Sequence, residues 1–407
     1  MKNKGKRTTP VHHTRKKEIL KKSRHYRKTR QRNRMLLSIL FMIFIVLILL
    51  LIRRNVLQVS ETSGTAPVSS QSQSSQSNPE DTNASQTPEV TAVPEKKQEP
   101  VSLTVSVVGD CTLGTDESFY YETSLNAYYD SYGKDYFFQN VKSIFEADDL
   151  TIANFEGTLT ESTYRADKLF AFKAPPAYAG IVSSGSVEAV NMANNHSKDY
   201  GEDSYTDTLT NLENEGIVHF GYDETAVMEV KGIKVGLVGI YELYDHLERT
   251  TQLKENIAKV KSEGAELIIV IFHWGNEKET VPDSNQMTLG RLAIDEGAHL
   301  VCGHHPHVLQ GIETYKNRNI VYSLGNFCFG GNSAPSDMDS MIFQQTFTID
   351  ADGVHTDNVT NVIPCSISSA YGYNNYQPTP AQGTEASRIL QKIEERSSWI
   401  PAAESVS

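Results

Sequence analysis

The chain has 407 residues, a formal net charge of −12, 39% hydrophobic residues and 22% charged residues. Its length leaves room for one large domain with a real core, which needs no disulfide staples. Basic residues crowd into the first 34 positions, so the remainder is more acidic than the net figure, and general attraction to nucleic acid or other polyanions is excluded.

Residues 1–34 are dense in Lys and Arg, with Glu18 the only acid. Residues 35–52 (MLLSILFMIFIVLILLLI) carry no charge and one polar side chain, Ser38. At about 1.5 Å per residue this run spans about 27 Å, enough for the hydrocarbon core of a bilayer. Only Arg53 and Arg54 follow closely. The positive-inside rule therefore predicts a single-pass anchor in the cell membrane, with a cytoplasmic N-terminus and an extracytoplasmic main domain. A cleavable signal peptide fits less well: the apolar run and the basic region are long, and no small-residue cleavage site follows at once. The basic arm abuts the span, so it reads as a contact with anionic lipid rather than with nucleic acid. Residues 53–100, rich in Ser, Gln, Thr, Pro and Glu, read as a disordered linker. Residues 101–371 form the domain, and 372–407 an extension with a short helix near 386–395.

Within the domain, apolar runs at 103–109, 150–153, 187–192, 235–240, 267–272, 300–302 and 320–323 read as strands. Several are unbroken rather than alternating, as strands covered on both faces should be. Helical patterns lie between them at 137–146, 203–215, 251–263 and 282–296, the last with an early Pro and a stop at Gly297. Hairpins are predicted over 227–237, turning at Lys231-Gly232, and from 342–349 to 354–362, turning at Asp352-Gly353. The pattern is α/β, with mixed sheets, mainly parallel central strands and antiparallel additions.

The chemistry collects where the strands stop. Asp110 follows the first strand, and Asn154 and Glu156 follow the second. Asn194, Asn195 and His196, then Asp199, follow the third; His273, with Glu277 beyond, follows the 267–272 run. Gly303-His304-His305-Pro306-His307 follows 300–302, and Asn326 lies beyond 320–323. In a parallel sheet such ends converge on one edge, where ligands bind. Carboxylate, amide oxygen and imidazole together suit Zn, Mn or Fe. Two such ions about 4 Å apart would clamp a phosphate and activate a water. There is neither a Gly-x-Ser-x-Gly elbow nor a His-Glu-x-x-His helix.

The segments VGD (108–110), NFEGTLT (154–160), NNHSKDYG (194–201), HWGNE (273–277), GHHPHVLQGIE (303–313) and YSLGNF (322–327) occur in order across the domain. This set resembles the CapA family of poly-γ-glutamate capsule synthesis, called PgsA in some bacteria. That family is similar to the calcineurin-like metallophosphoesterases, so the resemblance implies a four-layer αββα sandwich. It implies Asp110, Glu156, Asn195, His273, His305 and His307 as metal ligands, His196 as the catalytic imidazole, and His304 as a neighbour shaping the turn. It also implies a role in the synthesis, export or surface retention of an anionic polymer, alongside membrane-bound synthase subunits. Alternatives are an envelope phosphoester hydrolase and a non-catalytic scaffold of a synthase complex.

The chain departs from the phosphoesterase pattern twice. Val108-Gly109-Asp110-Cys111-Thr112 lacks the His of Asp-x-His, and only Glu156 can fill the place of the bridging Asp. One or two divalent ions are therefore the expectation. Asp199 and Glu277 read as partners that orient imidazoles, with simple solvation as the alternative; Asn326 reads as a turn former rather than a ligand contact, and Trp274 as packing at the rim, with stacking on a sugar or peptide as the alternative. His219, His246, His299 and His355 read as structural. Cys111, Cys302, Cys328 and Cys365 read as small buried residues, with a local pairing or a soft metal ligand as the alternative.

Overall fold

The computed structural model describes residues 99–403. The basic arm, the 35–52 apolar run and nearly all of the linker lie outside the described residues. The chain divides into two units, Met1–Thr91 and Ala92–Ser407, and every described residue belongs to the second. Among the described residues no helix is long and apolar enough to cross a membrane.

The strands are, in chain order, β1 (Val101–Thr112), β2 (Leu150–Glu156), β3 (Thr158–Leu159), β4 (Lys173–Ala174), β5 (Ala189–Asn191), β6 (Val218–Phe220), β7 (Ala226–Val230), β8 (Ile233–Tyr241), β9 (Leu267–His273), β10 (Leu300–His304), β11 (Ile312–Tyr315), β12 (Arg318–Val321), β13 (Asn326–Phe329), β14 (Asp339–Asp350), β15 (Gly353–Val354), β16 (Val359–Ser366) and β17 (Thr379–Pro380). They form two main sheets. The first runs β17-β16-β14-β1-β2-β5-β6, with β13 also on β1 and β15 on β14; the second runs β11-β12-β10-β9-β8-β7. In the first, β13, β1, β2, β5 and β6 are parallel, and β14 and β16 antiparallel. In the second, β12, β10, β9 and β8 are parallel between antiparallel edges.

Every residue of β2 and β9 is buried, which explains their unbroken apolar character. Val105, Val107 and Ile152 of the first sheet share one core with Val235, Ile269, Ile271 and Cys302 of the second. The outer face of the first sheet, including Val108, Phe155 and Val190, packs on α1 (Leu125–Tyr132), α2 (Lys142–Phe145), α3 (Ala179–Ser184) and α4 (Glu202–Asn214) through Leu125, Phe145, Ile181 and Leu212. The outer face of the second packs Val238, Val270 and Val301 on α5 (Thr250–Ser262) and α6 (Ser284–Asp295). The order of layers is helix, sheet, sheet, helix. The last helix, α7 (Gly383–Ser398), sends Ile389 and Ile393 into the core between the sheets.

The first hairpin forms as its turn predicts: Lys231 and Gly232 have φ of 52° and 81°, the left-handed pair a two-residue loop requires. The second turns one residue earlier than expected, at Ala351-Asp352, with Gly353 paired to Asp350, and its return strand is split into β15 and β16. The helix starting near 282 forms as α6, capped by Asp283 in a capping box with Gln286. The helix expected over 137–146 is a single turn, Lys142–Phe145. Phe137, Phe138 and Val141 are pinned in the outer core, and this packing overrides the 3.6-residue pattern. The longer α1 precedes it, started by Ser124, whose hydroxyl accepts from Ala127 N–H at 3.3 Å.

Candidate metal centre

Asp110 sits near the end of β1, where the β1–β2 register shifts between Val107 and Asp110 and the local bulge re-aims the strand. Gly109 is needed there: a Cβ would lie 2.3 Å from the Gly325 carbonyl oxygen, which accepts the Asp110 N–H at 2.9 Å. Asn154 and Glu156 lie within β2 and His273 ends β9, so the strands run further than their apolar cores. Ligand atoms of Asp110, Glu156 and His273 lie within 4.8 Å of one another, all three residues buried. His273 Nε2 is 2.8 Å from Asn195 Oδ1, which brings a residue of the first sheet's loops to the end of a strand in the second.

The histidine turn closes over Asp110. His305 N–H donates to Asp110 Oδ2 at 3.2 Å, and His307 Nδ1 lies 3.1 Å from the same oxygen. His304 Nδ1 lies 3.2 Å from Asp110 Oδ1. His305 and His307 adopt φ of 94° and 56°, a left-handed backbone that costs a non-glycine residue of order 1 kcal/mol or more. The His305 ring is 4.8 Å from that of His273 and 5.6 Å from that of His307. Asn326 opens β13 directly opposite Asp110, and its Oδ1 lies 2.8 Å from His307 Nδ1. His304 Nε2 and His305 Nδ1 are buried and have no hydrogen-bond partner. Buried imidazole nitrogens without partners, beside two buried carboxylates, are a donor set that a divalent cation satisfies.

The electrostatics carry the same mark. Burial would raise Asp110, but the His304 and His307 imidazoles outweigh it and hold the carboxyl well below its usual range. Burial and the Asp110 charge push Glu156 up to about 8. Burial, reinforced by His305, holds His273 well below the usual imidazole range, and burial with His307 brings His305 down to about 3. His307 is pushed up to about 9, because its bond to Asp110 and the nearby Glu156 charge outweigh burial. Two buried carboxylates this close disfavour each other's charge, and a divalent cation between them would lower that cost.

His196 sits beside this group. Its Nδ1 lies 2.8 Å from Asp199 Oδ2, while the other Asp199 oxygen accepts from Lys168 Nζ at 2.6 Å. Lys168 Nζ also donates to the Asn195 carbonyl oxygen at 2.8 Å and lies 3.2 Å from His196 Nδ1. Burial lowers the His196 pKa against the opposing pull of Asp199. Asn194 donates to the Phe155 carbonyl oxygen at 2.7 Å and accepts the His196 N–H at 3.0 Å, so it shapes the loop. Asn154 donates to Asp110 at 2.9 Å. Glu277 is exposed at the mouth of the cavity above the site.

Four further residues support the site. Lys168 lies in an irregular loop, Asn191 donates to Asn154 at 2.9 Å, and Thr112 donates to Glu156 at 2.8 Å. Glu242, just after β8, is buried and accepts from the Gly275 N–H at 3.3 Å. Of these, Thr112, Asn191 and Glu242 could have been found, since each stands at or just past a strand end. Trp274 is not at the rim: it is fully buried in the outer core, stacked 4.3 Å from Phe272, and it donates to the Tyr322 carbonyl oxygen. His219, His246 and His355 pair with local carboxylates, and His299 accepts the Ile268 N–H. All four cysteines are free and buried.

Residues 104–331 match the model of the family described as bacterial capsule synthesis protein PGA_cap. The chain belongs to this family. The matched segment contains every residue of the site. Among its relatives, the capsule biosynthesis protein CapA of Bacillus anthracis is 29% identical over 262 residues, covering 58% of this chain and 62% of that protein. The PGA biosynthesis protein CapA of Bacillus subtilis (strain 168) is 31% identical over 248 residues, covering 56% and 63%. The chain thus spans about three fifths of the length of these family members. A hypothetical protein from Thermus thermophilus superposes with a TM-score of 0.40 at 15% identity, over 64% of this chain and 98% of that one.

Proposed function

We propose that this protein is a membrane-anchored, extracytoplasmic member of the capsule synthesis family. In this reading it serves the synthesis, export or retention of a poly-γ-glutamate-like polymer through a metal centre of metallophosphoesterase type. Family membership and the CapA relatives support the polymer role; the apolar 35–52 run behind a basic arm supports the anchor. The observation that carries the metal centre is the buried Asp110–Glu156–His273 cluster with unpartnered imidazole nitrogens beside it. Asp110, Glu156, Asn195, His273, His305 and His307 would hold one or two divalent ions, Mn, Zn or Fe. When bound, such an ion supplies Lewis-acid polarisation of a phosphoryl or carboxyl oxygen.

The chain's own residues do the rest. Asp199 accepts from His196 Nδ1 and so leaves Nε2 to take or give a proton at the ligand. Lys168 fixes Asp199 and the Asn195 carbonyl together, which holds the imidazole and the amide ligand in one frame. The His196–Asp199 pair favours a second reading, hydrolysis of a phosphoester at the envelope.

Metal analysis of the purified full chain tests the centre. At least one equivalent of Mn, Zn or Fe is expected, lost in Asp110→Asn and in His273→Ala with the circular dichroism spectrum retained. A wild-type protein that binds no divalent ion after reconstitution ends the proposal. Turnover of a phosphomonoester or phosphodiester, abolished in His196→Ala with metal retained, would establish the second reading; metal binding without turnover would leave a binding centre.

A further inference from the structure

A cavity of about 490 Å³ opens above the site, with Glu156, His196 and His307 on its floor. One wall is phenylalanine: Phe119, Phe170, Phe172 and Phe329. Phe119, Phe170 and Phe172 make a continuous surface, and Phe329 stands beside the floor. Phe172 lies 4.6 Å from the His196 ring and 6.4 Å from Phe119, Phe119 lies 5.6 Å from Phe170, and Phe329 lies 5.4 Å from the His307 ring. Both imidazoles of the floor are thus flanked by apolar rings.

The wall is held in place. Asp116, itself buried, accepts from the Ser118 N–H at 2.9 Å, the Ala171 N–H at 2.7 Å and Arg165 Nη2 at 2.6 Å. This one carboxylate ties the loop bearing Phe119 to the loop bearing Phe170 and Phe172. Phe170, Leu169 and Tyr120 are exposed, so the apolar surface continues out of the cavity to solvent. The other wall includes Ser333, Pro335, Ser336 and Asp337, which lie beyond the segment matched to the family. Above the floor the charged lining residues are Glu277, Lys278 and Asp337, the last paired with Lys392 Nζ at 3.3 Å. A polymer with a carboxylate on every unit would find no excess of positive charge there.

We propose that the cavity takes a small amphiphile. One phosphate or carboxylate head sits on the floor, and an uncharged alkyl or aryl body lies against the Phe119–Phe170–Phe172–Phe329 wall, in preference to a run of repeating carboxylates. The head rests on the metal reading above; the body rests on the wall alone. The site then serves polymer assembly at a single anion-headed amphiphile rather than along the polymer.

The test is calorimetric binding to the Mn-loaded full chain in zwitterionic lipid nanodiscs. The ligands are methyl, butyl and hexyl phosphate, butyrate and hexanoate, and penta-γ-glutamate. Partitioning into the disc is common to wild type and variants and subtracts out. Affinity is expected to rise about two- to fourfold per added methylene, as burial of a CH2 requires. Phe170→Ala and Phe119→Ala should each cut hexyl phosphate affinity at least fivefold, leaving methyl phosphate affinity and metal content unchanged. Phe170 is 41% exposed, so its truncation spares the core. The phosphate and carboxylate series identify the head. Affinity flat in chain length, unaffected variants, or penta-γ-glutamate binding tighter than hexyl phosphate would each overturn the proposal. Metal content is measured in parallel. Bound metal with a flat series sinks this inference alone; no metal with chain-length dependence sinks the metal reading and leaves the apolar wall standing; neither sinks both.

Discussion

Asp148 and Glu188 lie away from the metal centre, yet burial pushes both up to about 6. Asp148 accepts from the Ser106 and Thr151 hydroxyls, and Glu188 accepts from the Thr151 N–H at 2.7 Å. These bonds favour the charged forms but do not overcome desolvation. A folded-state pKa above the unfolded value, about 4 for these groups, means that the folded chain holds the proton more tightly. The resulting stability is full below about pH 4, is lost between about pH 4 and 6, and stays flat above. Asp148→Asn keeps an acceptor for both hydroxyls and removes the charge. It should stabilise the protein by about 1 kcal/mol at pH 7.5, discounted for partial exposure, and by nearly nothing at pH 4. Urea unfolding at the two pH values reads this out; an equal gap at both would refute it. At the same scale, Asp110, Glu156, His273 and the histidine turn were legible because each stands at or beside the end of an apolar run. Lys168 was not, because its position comes from a loop with no periodicity and its partners lie 27 to 31 residues away.

At the scale of elements, the parallel strands deliver their C-terminal residues to one edge, and two glycines allow the backbones to close there. A Cβ at Gly303 would lie 2.2 Å from both the Tyr322 carbonyl oxygen and Trp274 Nε1. Gly303→Ala must therefore push β10 away from the 322–325 turn or displace the Trp274 ring. A loss of about 3 kcal/mol in unfolding free energy is expected, with reduced metal content, because His304, His305 and His307 follow directly. Unchanged denaturation midpoint and metal content would show that the turn tolerates the shift. The parallel central strands were readable from the unbroken apolar runs, and the hairpins from Lys231-Gly232 and Asp352-Gly353. The 137–146 segment was not, because Phe137, Phe138 and Val141 satisfy their burial without a helix.

At the scale of the molecule, the layers are held from the inside by residues distant in sequence. α7 belongs to this interior: Ile389 and Ile393 fill the core between the sheets, and Arg388 and Lys392 pair with Asp339 at the start of β14. Ile389→Ala should cost about 3 kcal/mol, and Leu390→Ala, which is 41% exposed, well under 1 kcal/mol. Thermal denaturation of the two variants checks this, and similar losses would mean that α7 adds little to the core.

The chain alone determined the strand-like runs, the polar residues at their ends and their kinship to the capsule synthesis family, because covered strands must be apolar and ligand groups must stand where the apolar run stops. Only the tertiary structure decided how the strands divide between two sheets, since a covered strand looks the same in either. It also decided that Asn195 from the first sheet's loops meets His273 from the second, that Asn326 pairs with Asp110 through β13, and that four phenylalanines from three segments line one cavity. Each of these depends on packing between segments far apart in the chain, which local periodicity does not encode.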